Sequence, residues 1–103
     1  MAVTYVIHFD VVLEKLDRFV HLLNGVLDAM RAEPSFHEAV LHRDPECAHK
    51  LMLYETWESH EDVLSVQLHR PYRQAYHEAL PELLNKPREV AIWQPIRADR
   101  KAG

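Results

Sequence analysis

The stretch Lys50–Asp62, KLMLYETWESHED, decides the fold. Leu51 and Leu53 alternate with Met52 and Tyr54, and Glu55 and Trp57 share a face with Thr56 between them. Such aromatic and alternating content predicts a strand over 50–57. Ser59 then stands three residues before Asp62, an approximate capping box that opens a helix. Working back, Phe36 to Arg43 reads as a second strand. Asp44-Pro45-Glu46 supplies turn chemistry between the two, with proline fixing φ. The pair is therefore expected to be a long-looped hairpin.

Outward from this hairpin the pattern changes period. Leu16, Phe19, Val20, Leu23, Val26, Leu27 and Met30 recur at intervals of three and four, the stripe of an amphipathic helix ending near Glu33-Pro34. Gly25 within it costs about 1 kcal/mol relative to alanine, so packing or tolerance must account for it. Before that helix, Val3 to Val12 reads as a strand with apolar residues on both faces. After the hairpin, Pro71 suits the first turn of a further helix, with Tyr72, Ala75, Tyr76, Ala79, Leu80 and Leu83 as its stripe. Pro81 is expected to kink or restart it. Glu89 to Ile96 closes the chain as a strand. The order β-α-β-β-α-β, with the second helix split, is that of a ferredoxin-like α+β protomer. One domain is expected over 1–97, with 98–103 as a C-terminal tail.

Helices in that architecture cover one sheet face. Tyr5, Ile7 and Phe9 oppose Val6, so both faces of the first strand read as apolar. An uncovered apolar face usually marks an interface. The expectation is a homodimer packed sheet to sheet about a two-fold axis.

Composition excludes several functions. The chain has 103 residues, 48% of them hydrophobic, and a net charge of −4 with histidines neutral. A nucleic-acid binder shows a basic excess, so no nucleic-acid partner is expected. No apolar run approaches the ~18 residues of a membrane span. The N-terminus lacks a basic region before an apolar stretch, and the one cysteine, Cys47, cannot pair internally. The expected compartment is the cytoplasm. With two glycines in all, neither a dinucleotide fingerprint nor a P-loop can be built. No flavin, haem or catalytic metal is expected. Three His-Glu pairs occur, at His37, His60 and His77, but none has a second histidine four residues on, so the zinc-protease motif is missing.

Most of the eight histidines read as surface residues: His21, His37, His49, His60 and His77. Cys47 near His49 reads as an inert loop thiol more readily than as a nucleophile. His8 differs, because it interrupts an apolar strand. It is either a core histidine satisfied by a neighbour or a proton acceptor in a pocket. Glu55 is either a structural acceptor or an acid/base group. His69, Tyr72 and Tyr76 fall at i, i+3 and i+7 on one predicted helix side. They are either core and rim residues or the wall of an apolar small-molecule site.

The segments MRAEPSFHEAVLHRDPE, MLYETWESHEDV and RPYRQAYHEALPEL resemble the antibiotic biosynthesis monooxygenase family, including its quinol monooxygenase branch. The likeness runs over about residues 3–96, and Leu53 to Ser59 is its most specific piece. The resemblance implies a dimeric α+β barrel with a pocket between sheet and helices in each protomer. It implies small aromatic or quinol-like substrates and molecular oxygen, without flavin or metal in some members. Other members are isomerases, haem degraders or proteins of unknown role. Many carry a paired-histidine stretch where this chain has Val66 to Tyr72, and here only His69 remains. The positions nearest the haem-degrading set are His8, Val66 and Tyr76 or His77, which do not match it. The function expected is a cofactor-independent monooxygenase of a quinol or phenol, with a dimeric ligand-binding protein as the alternative. His8 or His69 is the expected base. Tyr72 and Tyr76 would orient the phenol, and Trp57 and Glu55 would help form the site.

Overall fold

The computed structural model describes residues 1–102; Gly103, the last residue of the expected tail, lies outside the described residues. Strand β1 (Val3–Asp10) leads through a short 3-10 turn into helix α1 (Leu16–Met30). Strands β2 (Phe36–Asp44) and β3 (Cys47–Trp57) follow, then α2 (His60–Ser65), two 3-10 turns, α3 (Gln74–Leu83) and β4 (Glu89–Trp93). The sheet order is β2-β3-β1-β4, with every neighbouring pair antiparallel. This is the ferredoxin-like βαββαβ arrangement.

One sheet face holds the core. Tyr5, Ile7 and Phe9 of β1 lie opposite Glu55, Leu53 and Leu51 of β3, and all six are buried beneath the helices. From α1 come Phe19, Leu23, Val26 and Met30; from α3 come Tyr76, Ala79, Leu80 and Leu83. Phe9 and Phe19 meet edge to face at 5.0 Å, a favoured aromatic geometry.

The expected dimeric α+β barrel is corrected. Outer strands β2 and β4 do not pair with each other, so the sheet is open and does not close into a barrel. The homodimer is corrected with it: it rested on a uniformly apolar second sheet face, and that face is mixed. Thr4 and Thr56 on that face join their hydroxyls at 2.8 Å. Tyr54 donates to Glu38 at 3.1 Å, and Arg100 of the tail reaches the other oxygen of Glu38 at 3.1 Å. His8 and His42 stand exposed between them. Alternation placed Val6 and Met52 on this face; the register sets Met52 between His8 and His42, and Val6 between Tyr54 and Ala91.

Several boundaries also move. The hairpin turn is tight, Pro45-Glu46 between two longer strands, because Asp44 Oδ1 accepts from the Glu46 N–H at 2.8 Å and closes it locally. Strand β4 stops at Trp93, short of Pro95, which has no N–H to give a ladder. Ser59 caps α2 as its spacing predicts, accepting from the Asp62 N–H at 3.2 Å. Pro81 neither ends nor restarts α3, which runs on to Leu83. In the helix's last turn a missing N–H affects little of the remaining ladder. Gly25 is tolerated rather than needed: a Cβ there would meet nothing within 4 Å. Gly25→Ala is therefore expected to stabilise the fold by about 0.5–1 kcal/mol, read as a higher urea midpoint at unchanged slope; destabilisation would show that α1 packs differently.

Candidate functional site

The two helical layers do not cover the β4 side of the sheet fully, because α2 is six residues long and gives way to 3-10 turns. A cavity of about 190 Å³ opens there. Its floor is Tyr5, Ile7, Leu53 and Glu55, its inner wall Leu23, Val26 and Met30, and its outer wall His60, Val63, Arg73 and Tyr76. Leu64, Leu68, Val90 and Ile92 rim the mouth and are exposed. The lining is thus mostly apolar with a few polar groups, the usual form of a small-molecule site.

Glu55 is central to those polar groups. It is 5% exposed, and its Oε1 accepts from Trp57 Nε1 at 3.3 Å. Burial pushes its carboxyl above the usual glutamate range, against the opposing pull of Arg73, the Trp57 N–H and Arg88. A buried carboxyl of raised pKa in a cleft is suited to take and return a proton. Tyr5, its cross-strand partner, is hydrogen-bonded to His60 Nδ1 at 2.6 Å. Burial, and then the charge of Glu55, raise the Tyr5 hydroxyl pKa. Burial likewise pushes Tyr76 up to about 12, with Arg88 acting in the other direction. Both phenols therefore stay protonated at neutral pH and serve as hydrogen-bond donors. Arg73, itself buried, lies over the Trp57 ring at 5.7 Å.

The expected site residues divide. Glu55 and Tyr76 line this cavity. Trp57 stands behind it, fully buried, edge to face with Phe36 at 5.2 Å. Tyr72 is turned away: its hydroxyl donates to Glu33 Oε1 at 3.2 Å. His8 points from the opposite sheet face, exposed, beside Asp10, Lys50 and Glu89. Strand alternation explains this, since Ile7 and Phe9 take the helix side. His69 is exposed in a 3-10 turn and borders a separate surface cleft with Gln74 and Glu78. Extended backbone at Arg70 and the start of a new turn at Pro71 break the helical spacing that would align His69 with the tyrosines. The four residues expected around one pocket are thus not brought together.

Sequence reasoning passed over Tyr5, His60, Arg73 and Arg88. A signal existed for the first two. Tyr5 shares the strand face of Ile7 and Phe9, and His60 follows the Ser59 cap directly, which aims it at the sheet. Nothing in the spacing marked Arg73, which stands between Tyr72 and Gln74. Among the described residues, no three His, Cys, Asp or Glu side chains converge to hold a metal ion. Among the same residues, no helix is long and apolar enough to cross a membrane.

The family model described as "Antibiotic biosynthesis monooxygenase" matches residues 2–79. The chain belongs to the antibiotic biosynthesis monooxygenase family. A Pestalotiopsis microspora protein named "Putative monooxygenase" is 32% identical over 80 residues, covering 77% of this chain and 67% of that protein. Among solved structures, Rv0793 from Mycobacterium tuberculosis superposes with a TM-score of 0.86 at 21% identity, covering 97% of this chain and 100% of that one. SnoaB from Streptomyces nogalater, described as a cofactor-independent oxygenase, gives 0.79 at 20% identity, covering 94% and 95%. At these identities the structural likeness is one of fold. The family match takes in Tyr5, Glu55, His60, Arg73 and Tyr76 but stops short of Arg88 and β4, which complete the cavity of this family member.

Proposed function

We propose that this chain is a cofactor-independent monooxygenase of a small quinol-type aromatic, bound in the cavity over Glu55. The observation that supports this most is the Glu55 carboxyl itself, buried in an apolar cavity and held above its ordinary pKa by that burial. Family membership and the description of SnoaB agree with it.

The chemistry asks little of the protein. A deprotonated quinol or phenol is electron-rich enough to reduce oxygen. In a balanced monooxygenation, a ring CH₂ of the keto tautomer and O₂ become a carbonyl and water. The chain then needs a proton acceptor, donors for the developing oxyanion and exclusion of bulk water. Glu55 is the acceptor in this reading. Arg73 and the Tyr76 hydroxyl face the oxyanion, and the Tyr5–His60 pair orders the far side. Trp57 fixes Glu55 through its indole N–H. The single unpaired Cys47 fits a reducing compartment such as the cytoplasm.

Oxygen consumption with a panel of hydroquinones and anthrones tests the proposal. The expected result is saturable uptake with one O₂ consumed per product carbonyl. Tight binding without uptake above the uncatalysed rate would make the chain a ligand-binding protein instead.

A further inference from the structure

A second cavity, of about 470 Å³, lies between the last turns of α3 and the segment 84–88 that leads into β4. Leu80, Leu84 and Pro87 give it apolar walls, and His77, Lys86 and Arg88 line it as well. Its outer wall is tied to β1. Leu84 bridges to Val11, the Asn85 N–H donates to the Asp10 carbonyl at 2.8 Å, and Asn85 Nδ2 donates to Asp10 Oδ1 at 2.8 Å. Pro87 then restricts the backbone just before Arg88. This wall is therefore part of the frame of the sheet rather than a loose loop.

Charge sets this cavity apart in a chain of net charge −4. No Asp or Glu lines it, whereas Lys86 and Arg88 both do. Among the described residues, no carboxylate forms an ion pair with Arg88. Lys86 meets Glu89 at 3.4 Å, in an exposed pair that contributes little. His77 stays neutral at pH 7, because burial and then the charges of Arg88 and Arg73 lower its pKa. We propose that this cavity is a second ligand site, and that it takes an amphipathic carboxylate. The apolar body lies on Leu80, Leu84 and Pro87, and the anionic end meets Arg88 and Lys86. Arginine suits a carboxylate through paired N–H donors, and lysine adds a point charge. Size agrees as well. A cavity of about 150 Å³ accepts benzene, so about 470 Å³ admits a longer apolar body. The inference does not depend on the reading of the Glu55 cavity, although Arg88 lines both.

The test is proton NMR of the histidine rings, because the clefts carry different histidines. His60 lines the first cavity, His77 the second, and His69 the cleft that His77 also borders. Hexanoate, 1-hexanol and inorganic phosphate are titrated in turn at neutral pH and about 0.15 M salt. Hexanoate is expected to shift the His77 resonances saturably and to leave His60 and His69 in place. It is also expected to raise the His77 pKa, since an anion beside Arg88 offsets a charge that lowers it. 1-Hexanol, the same chain without the acid, is expected to bind about 10–100-fold more weakly, the range of a hydrogen bond to a charged group. Phosphate, which has charge and no apolar body, is expected to bind about 10-fold or more weakly than hexanoate. Lys86→Glu is expected to weaken hexanoate binding about 10-fold or more. Lys50→Glu, the same charge change outside this cavity, is expected to alter it about twofold or less. The proposal is overturned if hexanoate shifts His60 or His69 more than His77, if 1-hexanol or phosphate binds as tightly as hexanoate, or if Lys86→Glu binds it unchanged. The ligand comparison in native protein decides even if both variants misfold.

Discussion

Glu55→Gln is expected to lower oxygen uptake on a quinol substrate by about 10²–10⁴-fold, the usual contribution of a positioned general base. Glutamine keeps the shape and can still accept from Trp57, but it cannot take a proton. The same variant is expected to be more stable than the native protein at neutral and higher pH. Burial holds the folded-state pKa of Glu55 above its unfolded value, so the folded chain binds this proton more tightly. The stabilising contribution is fully present below the unfolded pKa and is lost as pH rises through the folded one. Glutamine has no charge to form, so that loss disappears. Thermal melts should therefore converge near about pH 4, in the ordinary glutamate range, and separate in favour of Glu55→Gln as pH rises. Unchanged uptake would make Glu55 a structural acceptor for Trp57, and identical melts at every pH would show that its burial is not felt.

Trp57→Ala carries the largest expected loss of stability. Trp57 is the largest fully buried side chain, packed against Phe36 and under Arg73. Removing a buried tryptophan of this kind costs about 3–5 kcal/mol through lost transfer energy and the cavity left behind. Domains of this size hold about 5–15 kcal/mol in all. Urea unfolding of the variant should show that fall, and a loss below about 1 kcal/mol would contradict the packing described. Trp57→Phe separates packing from polarity. It keeps most of the ring contact but removes the N–H that lowers the Glu55 pKa, so it should move the pH dependence of uptake further toward the alkaline side.

The elements were legible because their periods differ sharply. The hairpin, α1 and the Ser59 cap follow from alternation, a three-four stripe and one side-chain oxygen. What the sequence did not disclose depends on distance rather than spacing. Val6 and Met52 read as an apolar face, yet only the strand register sets Thr4 against Thr56 and Tyr54 beside Glu38. The open edges of β2 and β4 leave the sheet unclosed, and that register makes the second face mixed rather than uniformly apolar. His8 was read as either a core histidine or a pocket base with its direction left open, and alternation puts it on the face opposite Ile7 and Phe9. Glu55 and Tyr76 were accessible to pattern because each sits on a buried stripe. Arg73 was not, because a cation between Tyr72 and Gln74 reads as solvated until the rings of Trp57 and Tyr72 are seen beside it.

Turnover under ¹⁸O₂ with the product analysed by mass spectrometry tests the central claim most directly. The account predicts one labelled oxygen atom in each product molecule, the other appearing in water, with the labelled product falling about 10²–10⁴-fold in rate in Glu55→Gln. Product formed without label, or at the same rate in the absence of oxygen, would contradict it.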